Sequence, residues 1–416
     1  MAQPDVVCNG HGSALPNVVI ISACRTPIGK LNGALSSLPG HKLGSLVITE
    51  SLKRASIRPE EVSEVILGQV LTGGQGQNPA RQAAVAAGIP ISVPAWSVQM
   101  VCGSGMKALV SAYQSIRNGD AKIVVAGGQE SMSQAPHVIS LRKAVVMGDT
   151  VMRDTCTTDG LTDAFNRLPD GHPFLMGNTA EKVAERWKVT RQEQDEYAAQ
   201  SQQRAGAAQK AGYFRKEIIP VCVQSGKVFC FKETVEVSAD EFVKPDTTVE
   251  ALARLRTVFQ ANGTVTPGNS SGVNDGAAAV VMMSEAEAVS RKLTPMARIV
   301  SWAQAGIDPI IMGVGPVEAV KKALSKASWN ISDVDVFELN EAFAVSSIVC
   351  ARELGVDAAK VNISGGSIAL GHPIGASGAR VVVSLLHGLE RTGGHKGVAA
   401  LCIGGGMGIA LCVERT

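Results

Sequence analysis

The chain is 416 residues long, 45% hydrophobic and 18% charged, with a formal net charge of +2. That length supports two or three units with real cores. A near-neutral chain without a Lys/Arg run or a basic–aromatic stripe carries no nucleic-acid footprint, and no apolar run approaches the ~20 residues that span a bilayer, so neither nucleic acid nor a membrane is an expected partner.

The first 16 residues, "MAQPDVVCNGHGSALP", contain no Lys, no Arg and no apolar stretch. They argue against a secretory leader and against an import presequence. The closing "CVERT" is not a peroxisomal tripeptide, so a cytoplasmic location is the expectation. Nine scattered cysteines, including Cys8, Cys230 and Cys412, contain no CxxC pair. They fit a reducing compartment and offer no zinc spacing, and no metal or redox cofactor is expected.

Short apolar runs at 17–23, 64–71, 122–128, 277–283, 297–303, 335–340 and 397–405 read as buried strands, many bounded by Gly or charge. Between them come helical patterns such as "GPVEAVKKALSKA" (315–327), with Val317, Val320 and Leu324 on one face. Such alternation predicts an α/β fold with a mostly parallel sheet covered by helices. The middle differs: 181–214 is helical and charged, and an irregular β-like stretch follows at 226–242. Residues 132–272 therefore read as an inserted, more polar domain.

The two ends resemble each other. "CGSGMKALVSAYQSI" (102–116) aligns with "GASGARVVVSLLHGL" (375–389) through Ser104/Ser377, Gly105/Gly378 and Lys107/Arg380. Each is followed by an apolar strand ending in glycines, which suggests a duplicated α/β unit. A pseudo-twofold would then build one site from residues distant in sequence.

Cys102, in "MVCGSG", opens the first of these helices. It reads either as a small buried hydrophobe or as a nucleophile. Helix-start N–H groups favour a thiolate and predict a pKa below the free value of ~8.5. A base is then needed, and His372 in "GHPIGASG" stands at the repeat-equivalent turn; its plain alternative is a solvated turn histidine. Cys402 precedes a triple glycine in "LCIGGGMG", whose successive N–H groups admit a ligand closely. Asn340 and Glu341 end a strand, where open α/β sheets bind ligands, although a helix cap explains an Asn equally well.

Together, "MVCGSGMKAL", "NEAFA", "GHPIGASGAR" and "CIGGGMGIA" resemble the signatures of the thiolase family, in its order and near its spacing. "SACRTPIGKLNGAL" and "GNSSGVNDGAAA" resemble further stretches, and the likeness runs from about Asn17 onward, nearest to the branch that joins two acetyl-CoA molecules. It implies a duplicated thiolase fold with two pseudo-twofold-related α/β halves: 17–131 with 273–294, and 295–416, around a CoA-binding insert at 132–272. The implied activity is acetyl-CoA C-acetyltransferase, a reversible condensation giving acetoacetyl-CoA and CoA. CoA is then a substrate rather than a cofactor, and the implied assembly is a homo-oligomer, a tetramer.

The resemblance assigns Cys102 as the acylated nucleophile, His372 as its activator and Cys402 as the α-proton acceptor. His372 and a water held by Asn340 would form one oxyanion site, and the N–H groups of Cys102 and Gly404 another. Leu161, Met176, Lys244, Pro267, Ser271, Ala342 and Phe343 would contact the substrate. Three positions depart from the family pattern. Leu175 stands where a histidine usually touches CoA, beside a longer 166–173 segment containing His172. Lys244 replaces an arginine and loses its planar stacking face. Gln202 stands where potassium-activated relatives have a tyrosine, so no potassium is expected. A degradative 3-ketoacyl-CoA thiolase of broader chain length and a non-catalytic acyl-CoA or lipid-binding protein on the same scaffold are the alternatives.

Overall fold

Apolar runs buried on both faces supply most strands of a mixed sheet. The computed structural model describes residues 15–142, 147–225 and 233–416. Cys8, His11, Cys230, nearly all of the 16-residue leader reading and 226–232 of the β-like stretch lie outside the described residues. The strands are β1 (Val18–Arg25), β2 (Glu64–Gly68), β3 (Ala95–Val98), β4 (Ile123–Ser131), β5 (Asn274–Ser284), β6 (Ala297–Gly306), β7 (Val336–Leu339), β8 (Lys396–Ile403) and β9 (Met407–Glu414). They stand in the order β7-β8-β9-β6-β1-β5-β4-β2-β3, with a two-residue strand, Gly29–Lys30, paired to β5.

Seven of these coincide with runs evident in the sequence. β3, only half-buried and without the signature of a core strand, shows in the sequence as the short apolar approach at 95–99 that turns into a helix at Cys102. β9 escapes because it follows the glycine turn with no polar break. The expected mostly parallel sheet is corrected: five of the eight neighbour pairs on this path are antiparallel. For one of these pairs the cause is connection length. β8 and β9 are joined only by Gly404–Gly406, and a turn that short forces an antiparallel hairpin.

The duplication is explicit in the pairing. β2, β4, β5 and β1 repeat the neighbour order and the parallel or antiparallel sense of β7, β8, β9 and β6. The halves meet where Val18–Ile20 pairs with Ala297–Ile299. Helices α1 (Gly40–Ala55) and α2 (Pro79–Ala86) cover the outer face of the first half. Two more lie between the halves, α3 (Ser104–Asn118) and, from the C-terminal repeat, Ile374–Thr392. In the second half, Gly315–Ala327 and Ala344–Leu354 cover the outer face. In chain order, the longer helices after α3 are α4 (Met176–Trp187), α5 (Arg191–Lys210), α6 (Gly315–Ala327), α7 (Ala344–Leu354) and α8 (Ile374–Thr392).

The central core joins both halves. Leu109, Val110 and Ile116 of α3 and Val382, Leu385 and Leu389 of α8 pack with Val124 and Met282 on one side and Leu401, Ile409 and Leu411 on the other. The two helices cross without intervening side chains. A Cβ on Gly378 would lie 2.3 Å from the Met106 backbone nitrogen, and one on Gly105 would lie 2.7 Å from that of Ala379. Both helices therefore start beside the same point.

Between Ser131 and Asn274 the chain leaves the sheet and builds α4, α5 and short hairpins. Arg25, fully buried at the end of β1, ties this insert down. Its guanidinium donates to Glu217 (2.8 Å) and in two parallel bonds to Asp240 (2.7 and 2.8 Å).

Gly378→Ala is expected to destabilise the chain by about 2 kcal/mol or more, because overpacking against main chain has no side chain to move aside. Urea denaturation checks this, and truncating Met106 in the same variant should not restore the midpoint.

Candidate active site

The nucleophile candidate rests on a strained turn. After β3, Val101 adopts φ +45°, a left-handed conformation costly for a β-branched residue. The turn is closed by the Gly103 N–H to Met100 O (3.0 Å) and by Ser104 Oγ, which accepts from the Met100 N–H (2.8 Å) and donates to Val101 O (2.7 Å). Cys102 is thereby presented just ahead of α3, buried among Val70, Leu71, Met132 and Ile374.

His372 is placed by a second turn. Gly371 has φ +111°, and a Cβ there would come within 2.6 Å of the Asn274 side chain. Asn274 Oδ1 accepts the His372 N–H at 2.8 Å. The ring Nδ1 lies 2.5 Å from Ser377 Oγ, whose single proton goes to Pro373 O at 2.9 Å. The hydroxyl must therefore accept from Nδ1–H, which leaves the lone pair on Nε2. That Nε2 is buried without a hydrogen-bond partner. His372 is thus no solvated turn residue.

Asn340 extends β7, its N–H donating to Ala400 O at 3.0 Å. It does not cap the next helix; Phe343 occupies that position. Its Oδ1 accepts from Ser367 Oγ (2.6 Å), while its Nδ2 is buried and unpartnered. Cys402, next to last in β8, is fully buried. The turn after it uses φ +86° at Gly405 and +82° at Gly406.

Electrostatics in this dry site differ from the expectation for a helix start. Burial pushes the Cys102 thiol up to about 11, although the N–H groups of Gly404 and of Cys102 itself act on it in the opposite sense. Burial, and then the Arg380 charge, bring His372 down to about 3. The expected thiolate is corrected to a thiol beside a neutral imidazole: desolvation of the anion outweighs what the helix start returns. Burial also raises Cys402 well above the ordinary thiol range, with the neighbouring Cys102 adding to it.

Comparison with known proteins identifies the family. The family descriptions "Thiolase, N-terminal domain" and "Thiolase, C-terminal domain" match residues 18–286 and 293–415. The chain belongs to the thiolase family. It is 59% identical to a cytosolic acetyl-CoA acetyltransferase of Rattus norvegicus over 400 residues, covering 96% of this chain and 98% of that one. It is 53% identical to an acetyl-CoA acetyltransferase of Rhizobium meliloti, covering 96% and 99%. The crystal structure of the Bacillus anthracis acetyl-CoA acetyltransferase superposes with a TM-score of 0.92 at 43% identity, covering 97% of this chain and all of that one.

Within this thiolase fold, one cavity of ≈ 200 Å³ gathers many of the expected residues. Cys102, His372, Leu161, Met176, Ser271, Ala342 and Phe343 line it together with Leu175, Met132, Phe259, Met312 and Ile374. Asn340, Cys402 and Gly404 are buried and do not form its wall. Lys244 and Pro267 are exposed and lie off the wall; the Lys244 Nζ sits 5.5 Å from the Phe242 ring centroid. His172 is exposed on the turn of a hairpin formed by Thr162–Arg167 and Pro173–Leu175, so Leu175 and not His172 faces the cavity. Gln202 is occupied within the fold, donating to Ile368 O (3.2 Å) and accepting the Lys244 N–H (2.7 Å).

Several supporting residues carry no local sequence signal. Asn274 is one; Glu130 is another. The Glu130 carboxyl accepts the N–H groups of Val70 (2.9 Å), Leu71 (3.2 Å) and Gly375 (2.9 Å), clipping the Cys102 side of the cavity to the His372 turn. Burial pushes it up to about 7. Only Ser377 was visible beforehand, as the repeat partner of Ser104.

Alkylation tests the corrected protonation state. With its pKa near 11, the Cys102 thiol becomes steadily more ionised as pH rises, so iodoacetamide inactivation should accelerate through pH 9 without levelling. A plateau below pH 8 would restore the low-pKa thiolate.

Proposed function

We propose that the chain is an acetyl-CoA C-acetyltransferase that joins two acetyl-CoA molecules through an acetyl-cysteine at Cys102. The observation that carries this reading is the pair of buried polar atoms without partners, His372 Nε2 and Asn340 Nδ2, the first on a residue that lines the cavity with Cys102 and the second two positions before the lining residue Ala342. A buried orphan donor or acceptor is costly unless a ligand completes it.

In the first half-reaction, Cys102 Sγ attacks the thioester carbonyl while His372 Nε2 takes the thiol proton. The N–H groups of Cys102 and Gly404 hold the oxygen that becomes negative. As the C–S bond to CoA breaks, Cys402 gives its proton to the departing sulfur. Acetyl-Cys102, an imidazolium and a Cys402 thiolate remain.

In the second half-reaction, the Cys402 thiolate removes the α-proton of a new acetyl-CoA. The enolate oxygen is held by His372 Nε2–H and by Asn340 Nδ2, through a water. The enolate carbon attacks the acetyl group, and the expelled Cys102 sulfur recovers its proton from His372. All three groups return to their starting state, and acetoacetyl-CoA leaves. The raised pKa of Cys402 suits this role, since a thioester α-proton is far less acidic than an ordinary thiol. No metal or redox cofactor enters the scheme.

A short acyl group is favoured by the small cavity, closed by Met132, Leu161, Phe259, Met312, Phe343 and Ile374. The names of the relatives support the same substrate and, for the rat protein, a cytosolic setting. Exposed Val138, Ile139, Leu141, Val151 and Met152, in and beside the hairpin His137–Val138/Arg153–Asp154, support a homo-oligomer, for which a tetramer is proposed.

Brief exposure to acetyl-CoA should place one acetyl group on the peptide containing Cys102. Cys402→Ala should still acylate but fail to exchange the α-protons of acetyl-CoA; normal exchange would remove Cys402 from the scheme. Thiolysis of 3-oxoacyl-CoAs should favour acetoacetyl-CoA, with kcat/KM falling as the chain lengthens. A flat profile would favour the degradative reading instead.

A further inference from the structure

An asparagine side chain has two similar ends, and nothing in its shape decides which one faces a ligand. For Asn340 the choice is consequential. The NH₂ end can stabilise a developing oxyanion, whereas the carbonyl end would repel it. The decision is made by what meets the carbonyl end.

Ser367 is the first residue of the short helix Ser367–Leu370 and is fully buried. Its hydroxyl has one proton to give. Arg380 Nη2, on α8, donates to Ser367 Oγ at 2.7 Å, and Ser367 passes its own proton to Asn340 Oδ1 at 2.6 Å. The same guanidinium nitrogen lies 3.4 Å from Asn340 Oδ1. Two donors therefore converge on one end of the amide.

Turning the amide over would set its NH₂ against a hydroxyl that already accepts from Arg380, and close to the guanidinium. The Ser367 proton would lose its acceptor. With Asn340, Ser367 and Arg380 all buried, such losses are costly. The favoured orientation leaves Nδ2 as the orphan donor noted above.

We infer that Ser367 is a positioning residue: its hydroxyl, backed by Arg380, locks the Asn340 amide with the NH₂ end available to the enolate oxygen. This rests on the proposed role of Asn340 and deepens it. Ser367 touches no reacting atom. Its effect should appear where charge develops on the enolate and not where acetyl-CoA first binds or where Cys102 is acylated.

The test uses the full chain carrying Ser367→Ala, Asn340→Ala and both together. Four quantities are read: the rate of Cys102 acetylation by mass, solvent-deuterium exchange into the methyl group of acetyl-CoA, and kcat and KM for condensation. Ser367→Ala should lower exchange and kcat together by roughly tenfold, less than the ~10²–10³ typical of losing an oxyanion donor outright. KM and Cys102 acetylation should be unchanged. Asn340→Ala should lose exchange by the larger factor, and adding Ser367→Ala to it should cost nothing more, because the two act through one group. If Ser367→Ala does not fold, Ser367→Cys, a weak donor of similar size, carries the same comparison. The inference is overturned if Asn340→Ala collapses exchange while Ser367→Ala leaves it intact. It is equally overturned if the double variant falls below Asn340→Ala by the full Ser367 factor, or if acetylation and exchange decline alike. Intact exchange in Asn340→Ala is a different failure: it removes the Asn340 role itself and the inference with it.

Discussion

The site depends on one close contact. Where α3 and α8 cross, Gly105 and Gly378 put backbone against backbone. Any side chain there would separate the helices, and with them the two turns that precede them. One turn ends in Cys102; the other carries His372. The duplication thus does more than double a fold. It brings two equivalent helix starts to one place and then loads them with different chemistry. Lys107 and Arg380 mark how far the copies have diverged. The first reaches towards solvent over the Trp302 ring, and the second is buried behind Asn340.

Dryness governs the rest. In water a cysteine and a histidine could share a proton early and wait as an ion pair. Here burial pushes both towards their neutral forms, which disfavours such a resting ion pair. The same burial makes each unpartnered atom valuable, since low dielectric strengthens whatever finally meets it. Ser377, Asn274, Ser367 and Glu130 hold these atoms in place using hydrogen bonds of fixed direction. Each has a definite donor and acceptor assignment, so the polar wall of the cavity has little freedom to rearrange.

Much of this was legible in the sequence, for identifiable reasons. The strands buried on both faces announce themselves as apolar runs, and the Gly-Ser-Gly and Gly-His-Pro turns have few uses other than close approach. The repeat of Ser104 and Ser377 was visible in the letters. Strand direction was not, because alternation of strand and helix says nothing about a hairpin hidden in Gly404–Gly406. The sign of the Cys102 shift was also out of reach: a helix start can be read locally, but burial is assembled from Val70, Met132 and Ile374, which arrive from elsewhere. The supporting shell was illegible for the same reason. Asn274 reaches His372 across 98 positions and Glu130 reaches Gly375 across 245.

The buried guanidinium of Arg25 bears on the wall of the cavity. It fastens the insert at both Glu217 and Asp240, directly to the end of β1. Undoing such a pairing by removing one partner typically costs about 3–5 kcal/mol. The insert is thus tethered to the sheet at that point, and Leu161, Leu175, Met176 and Phe259, which it contributes to the cavity wall, are carried on the same tether.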